Sequence, residues 1–162
     1  MSQSLPAFGI DVGGGSAKIG IVSPAGIVLA EDVVTSDLRV IAPVLIDRYL
    51  ATAEKLQKSL EIEKLCGIGI GLPGHIDFEL GTTRLGNVPC LDEFPIVDYI
   101  SQKSGVKVFI ENDATLAALA EHRFGVGQGS DAFSLSPSAP ALAWVSLKME
   151  NQFTRPTAPW AT

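Results

Sequence analysis

Asp11-Val12-Gly13-Gly14-Gly15-Ser16-Ala17-Lys18, set between two short apolar runs, decides how the rest of the chain is read. A carboxylate ends one extended segment, and a turn almost bare of side chains follows it. Ala17-Lys18-Ile19-Gly20-Ile21-Val22 then resumes in alternation, so the turn leads into a second strand rather than a helix. Glycine tolerates positive φ and lets another group approach the main chain closely. Successive backbone N–H groups in such a turn form a concavity suited to phosphate oxygens, and the carboxylate beside it suits a hydrated Mg2+. Two other readings stay open at this point. A Gly-rich turn between strands is often only a hairpin, and Asp-Gly is a common turn dipeptide. A dinucleotide fingerprint would need a helix opening at the glycines, whereas Ile19, Ile21, Ile27, Leu29 and Val33 continue an extended pattern.

The composition bounds what this turn can belong to. The chain has 162 residues, 46% of them hydrophobic and 19% charged, which suits one globular domain with a real core. A net charge of −6 offers no basic footprint for nucleic acid. Met1 to Ile10 has no basic start followed by an apolar segment, so no signal peptide is expected. No run approaches the length that spans a bilayer, so no membrane partner is expected either. Cys66 and Cys90 lie far apart, without Cys or His at ligand spacing. They are expected to be reduced, buried thiols of a cytoplasmic protein.

Working outward, Phe8–Asp11, Ala17–Val22 and Ile27–Val34 read as three strands of a meander. Residues 40–60 carry Ile41, Leu45, Tyr49, Ala53, Leu56 and Leu60 at helical spacing. Residues 65–72 are short, apolar and Gly-rich, as in a buried strand packed closely by helices, and Pro73-Gly74 ends them. A short helix over 96–104, a fifth strand over 106–110 and an Ala-rich helix over 113–124 follow. Three strands, helix, strand, helix, strand, helix imply an α/β sheet with helices on its faces. Functional groups of such sheets gather where strands end, and Asp11, Pro73-Gly74 and Glu111-Asn112-Asp113 all lie at such ends.

Beyond residue 130 both periodicities are lost, and residues 131–162 hold both tryptophans and four of the ten prolines. One reading is an irregular natural tail. The genetic code offers another. In the frame taking the third base of each codon with the first two of the next, residues from Ser136 onward accommodate Thr-Leu-Gly-Thr-Gly-Leu-Gly-Val-Gly. Trp144-Val145 and Met149-Glu150 both force glycine in that frame. The expectation is a lobe over 1–130 and an out-of-frame tail over 131–162 in place of a second lobe.

Asp113 follows a strand and opens a helix, where the macrodipole favours its charged form. Taken alone it reads first as an N-cap; a neighbouring phosphate loop shifts the balance toward a carboxylate that accepts a proton from a hydroxyl attacking a γ-phosphoryl group. Asp11-Val-Gly-Gly-Gly, Gly69-Ile-Gly-Leu-Pro-Gly74 and Glu111-Asn-Asp-Ala114 with Ala118-Leu-Ala-Glu121 resemble, in that order, the N-terminal lobe of the ROK family of repressors, open reading frames and sugar kinases. The resemblance covers roughly residues 7 to 130. It implies a ribonuclease H-like, actin-like ATPase lobe, with a mixed five-stranded sheet and helices on its faces. It further implies nucleotide and hexose held between two lobes. Asp113 would be the base acting on a hexose hydroxyl, usually at C6. Asn112, Gly74, His75 and Asn87 would contact the sugar. Asp11, Gly13, Gly14, Gly15, Ser16 and Lys18 would face the phosphates, with Asp11 holding Mg2+ through water. Glucose or a related hexose is the expected substrate, and the resemblance allows a homodimer.

The first loop, Gly-Gly-Gly-Ser-Ala-Lys, has one more small residue than the Gly-Gly-Thr-Lys of many family members. It resembles the glucokinase branch that uses polyphosphate or ATP. The zinc-binding Cys cluster of many members is not present, so no zinc site is expected. As truncated, the chain is expected to be inactive. Two rival functions remain: a sugar-sensing ROK transcriptional regulator, and an actin-like ATPase acting on a protein partner. The regulators carry a winged helix before the kinase-like part, whereas the sheet here begins within ten residues of the start.

Overall fold

The computed structural model describes residues 5–84, 87–130, 132–135 and 145–148. It divides into two units, 1–112 and 113–162. In the first, strands β1 (Ala7–Val12), β2 (Ser16–Val22) and β3 (Val28–Thr35) form an antiparallel meander. Helix α1 (Ala42–Ser59) then crosses to β4 (Ile68–Leu72), which pairs parallel to β1. A small hairpin of β5 (His75–Asp77) and β6 (Thr82–Arg84) and a 3-10 turn at Pro89–Leu91 precede α2 (Ile96–Ser104). Strand β7 (Val108–Asn112) closes the sheet parallel to β4, giving the order β3-β2-β1-β4-β7. This is the mixed five-stranded sheet expected from the sequence.

Alternation puts the core on one sheet face. Phe8, Ile10 and Val12 of β1, Ala17, Ile19 and Ile21 of β2, Ile68, Ile70 and Leu72 of β4, and Val108 and Ile110 of β7 are all buried. They form one cluster with Leu45, Ile46, Tyr49, Ala53 and Leu56 of α1 and Ile96, Val97 and Ile100 of α2. Each large aliphatic side chain so buried contributes about 1.5–3 kcal/mol. Helix α1 starts later than its apolar pattern, because Pro43 favours the first turn. Ile41 therefore caps the helix from outside and is 67% exposed, while Ile46 takes an inward place. The alternate strand positions face the other way, and there Gly9 is level with Gly20 and Gly69, with Phe109 half-exposed at the end of the row. Cys66 is exposed, contrary to the expectation of a buried thiol, because it lies in the segment leading into β4, where its N–H donates to the Pro6 carbonyl. Cys90 is half-buried, and that burial pushes its thiol above its ordinary value.

In the second unit, α3 (Asp113–Phe124) is followed by a turn at its C-terminal end, held by Glu121. The Glu121 carbonyl accepts N–H bonds from Gly125 and Gly127 at 3.0 Å, and its carboxylate accepts one from Val126 at 3.2 Å. His122 is half-buried, with a ring nitrogen 2.8 Å from the Ser130 carbonyl. Within the span read as an irregular tail, β8 (Ala132–Leu135) and β9 (Val145–Lys148) pair antiparallel. The Gly-Thr-Gly of the alternative frame falls on 136–144, outside the described residues. Among the described residues no helix is long and apolar enough to cross a membrane.

Candidate functional site

Because β1, β4 and β7 run parallel, their C-terminal ends share one edge of the sheet. Asp11 is level with Gly71, Gly71 with Glu111, and Leu72 with Asn112. With Ile10 and Val12 buried toward the helices, alternation turns Asp11 to the other face, where it is exposed and stands directly opposite Lys18 of β2. That edge brings together most of the residues singled out by sequence.

The glycine turn is tied down by its carbonyls. Gly13 donates its N–H to the Ser16 carbonyl at 2.9 Å. The Gly15 carbonyl accepts the Ser36 N–H at 3.1 Å, and the Gly13 carbonyl accepts the Ser36 hydroxyl at 3.1 Å. Ser36 Oγ in turn lies 2.9 Å from the hydroxyl of Tyr49 on α1, and both residues are buried. Asn87 abuts the same turn. A Cβ added at Gly14 would lie 3.2 Å from Asn87 Cβ and 3.3 Å from its carbonyl oxygen, so glycine lets the two loops meet.

At the end of β4, Gly74 takes φ +90, a left-handed conformation that suits glycine. Its carbonyl accepts the Asn112 Nδ2–H at 3.0 Å, which fixes the amide orientation, since a carbonyl only accepts. The Thr83 hydroxyl donates to the Pro73 carbonyl at 2.8 Å, with a longer 3.4 Å contact to that of His75. His75 itself is exposed at the start of β5. Asn112 donates its backbone N–H to Glu111 Oε1 at 2.9 Å.

Asp11, Gly13, Gly14, Gly15, Lys18, Gly74, Asn87 and Asn112 thus lie along connected parts of the first unit. Ser16, exposed, opens β2 after the turn. Asp113 belongs to the second unit, where it opens α3 and its Oδ1 accepts the Ala114 N–H at 2.8 Å. Ser36, Tyr49 and Thr83 were not singled out by sequence. Tyr49 read only as part of an apolar stripe, and a tyrosine there signals a hydroxyl needing a buried partner. A cavity of about 700 Å3 lies elsewhere, at the opposite ends of β1 and β4, lined by Phe8, Leu50, Ala53, Leu65 and Ile68.

The sheet order, the two parallel crossovers and the turns at one edge define a lobe of the actin-like ATPase fold. Solved structures agree: the ROK glucokinase of Streptomyces griseus, in complex with glucose and AMPPNP, matches with a TM-score of 0.73 at 27% identity, covering 88% of this chain and 44% of that one. The ROK family model matches residues 7–135, and the chain belongs to that family. A glucokinase of Thermotoga maritima is 36% identical over 128 residues, 78% of this chain and 39% of the relative. The DNA-binding transcriptional repressor Mlc of Escherichia coli is 32% identical over 89 residues, 53% of this chain and 22% of the relative. The chain therefore spans well under half the length of these relatives.

Proposed function

We propose that this chain is the N-terminal lobe of a hexose kinase that transfers a phosphoryl group from ATP, or from polyphosphate, to a sugar hydroxyl, with glucose O6 the leading acceptor. The observation that carries the reading is the shared edge of β1, β4 and β7, with Asn112 hydrogen-bonded to Gly74 and the glycine turn one strand away. Similarity to glucokinases supports the sugar. In this reading Gly13, Gly14, Gly15, Ser16 and Lys18 hold the donor phosphates, and Asn112, Gly74, His75 and Asn87 hold the sugar. Asp11 is an exposed carboxylate whose hard oxygen donors fit Mg2+, which when bound neutralises charge on the transferring phosphate. Asp113, next in the chain after Asn112, takes the proton of the attacking hydroxyl. Phosphoryl transfer otherwise asks mainly for alignment and charge neutralisation. Lobe closure would keep water from competing with the sugar.

We further propose, from the codon reading alone, that residues 131–162 are out of frame. Sequencing the DNA across Phe133 to Pro137 tests this, and the absence of any one-base shift opening a long frame refutes it. For the activity, ADP release is measured on the frame-restored protein with ATP and a hexose panel, and sugar phosphate formation with polyphosphate. Release stimulated by a hexose is expected. Hydrolysis indifferent to sugar would instead indicate an actin-like ATPase. The similarity to Mlc favours one second reading, a sugar sensor, which would bind hexose without phosphorylating it. In the restored enzyme Asp113→Asn should lower kcat by about 10²–10⁴-fold with the melting transition unchanged, the usual worth of general-base help. Full activity in that variant would remove Asp113 from the role.

A further inference from the structure

The buried contacts beneath the glycine turn have a direction that the heavy-atom distances alone do not state. Ser36 has one hydroxyl proton, and the Gly13 carbonyl can only accept, so that proton points to Gly13. The Ser36–Tyr49 bond must then be donated by the tyrosine. Burial holds the Tyr49 phenol above its ordinary value, so it remains a donor at every physiological pH. The chain of donation runs from Tyr49 to Ser36 to the Gly13 carbonyl.

Peptide planarity carries this outward. The Gly13 carbonyl and the Gly14 N–H belong to one rigid trans plane and point in opposite directions. Drawing the carbonyl inward to Ser36 therefore aims the Gly14 N–H away from the core, and no acceptor among the described residues takes that N–H. The Gly15 carbonyl, bound to the Ser36 N–H, is held in the same way. Three successive glycines have no side chains to set these planes, so the orientation must come from the partner beneath.

We propose that Ser36 and Tyr49 are positioning residues that orient the glycine turn for anion binding. The proposal rests on the phosphate reading of that turn. It adds that anion affinity is set from below, by a serine just past the end of β3 and a tyrosine on α1, neither of which touches the ligand.

The test uses the 15N-labelled chain titrated with tripolyphosphate, following the Gly14 amide, with hydrogen exchange of the residue-36 amide as a second readout. Wild type should shift on titration. Ser36→Ala strands both a part-buried carbonyl and a buried phenol, and should weaken affinity and residue-36 protection by about tenfold. Tyr49→Phe removes only the outer donor and should weaken both by about threefold. Ala53→Gly, elsewhere on α1, should lower the melting temperature while leaving affinity within about twofold. Unchanged affinity in folded Ser36→Ala, or a loss in Ala53→Gly as large as in Ser36→Ala, would overturn the proposal. A larger effect for Tyr49→Phe than for Ser36→Ala would overturn the direction of donation. A wild type silent toward tripolyphosphate would refute the phosphate reading itself. Residue-36 protection then still decides whether the two hydroxyls hold the turn, and protection unchanged in Ser36→Ala refutes that part.

Discussion

Thr83 holds the Pro73-Gly74 turn as Ser36 holds the glycine turn. Its buried hydroxyl donates to the Pro73 carbonyl, whose neighbour Gly74 receives the Asn112 amide. Thr83→Val keeps the shape and strands that carbonyl, so stability in urea should fall by about 1–3 kcal/mol, with shifted Gly74 and Asn112 amide resonances. Thr83→Ser should recover most of the loss. An unchanged urea midpoint in the valine variant would mean that water replaces the hydroxyl. Residues of this kind were the least legible in the sequence. Asp11, Asn112 and the glycines announce themselves through residue type and place at strand ends. A threonine or serine bound to a carbonyl far along the chain carries no local pattern, since the partner is supplied by tertiary folding.

Among the elements, the long ones were legible and the short ones were not. The meander, α1, β4, α2, β7 and α3 each carry enough apolar repeats to show their period. The β5–β6 hairpin has only three residues in each strand, too few for alternation to register. Its role is nonetheless specific, for it carries Thr83 under the Pro73-Gly74 turn. Between α1 and α2, Lys103 Nζ lies 2.6 Å from Asp47 Oδ1 and 2.7 Å from Oδ2, and the Tyr99 hydroxyl donates to the same carboxylate at 3.0 Å. The Lys103 bond holds Asp47 below the usual carboxylate value, with the Tyr99 bond assisting, and Asp47 holds Lys103 above its own. A depressed carboxylate contributes stability at pH above its unfolded value of 3.8, and that contribution is lost as pH falls through the folded value. The raised lysine contributes below its unfolded value of 10.5 and loses this as pH rises through the folded value. Urea midpoints measured from pH 6 down to pH 2 should therefore fall less steeply in Asp47→Asn than in wild type. Both groups are exposed, so the difference should shrink in high salt. Parallel profiles for the two proteins would show that the pair adds nothing.

For the molecule as a whole, the buried apolar side chains of the described residues lie in the first unit, apart from Ala118 of α3. A core of that content is what lets a unit fold alone. A chain ending at Asn112 should keep a single cooperative urea transition followed by circular dichroism. A broad, sloping transition would show that the first unit needs the residues beyond it. The sheet order β3-β2-β1-β4-β7 also has a temporal meaning. Neighbouring strands of the meander meet across short turns, whereas β4 must wait for all of α1 and β7 for all of α2, and such distant pairings form late. Every newcomer joins a margin that is already laid down, so no strand has to be threaded between two others. During synthesis from the N-terminus the ladder grows outward by accretion, and the apolar margin of β1 stays bare until β4 emerges from the ribosome. That interval, rather than any property of the finished sheet, is when this lobe is most open to mispairing with another copy of itself.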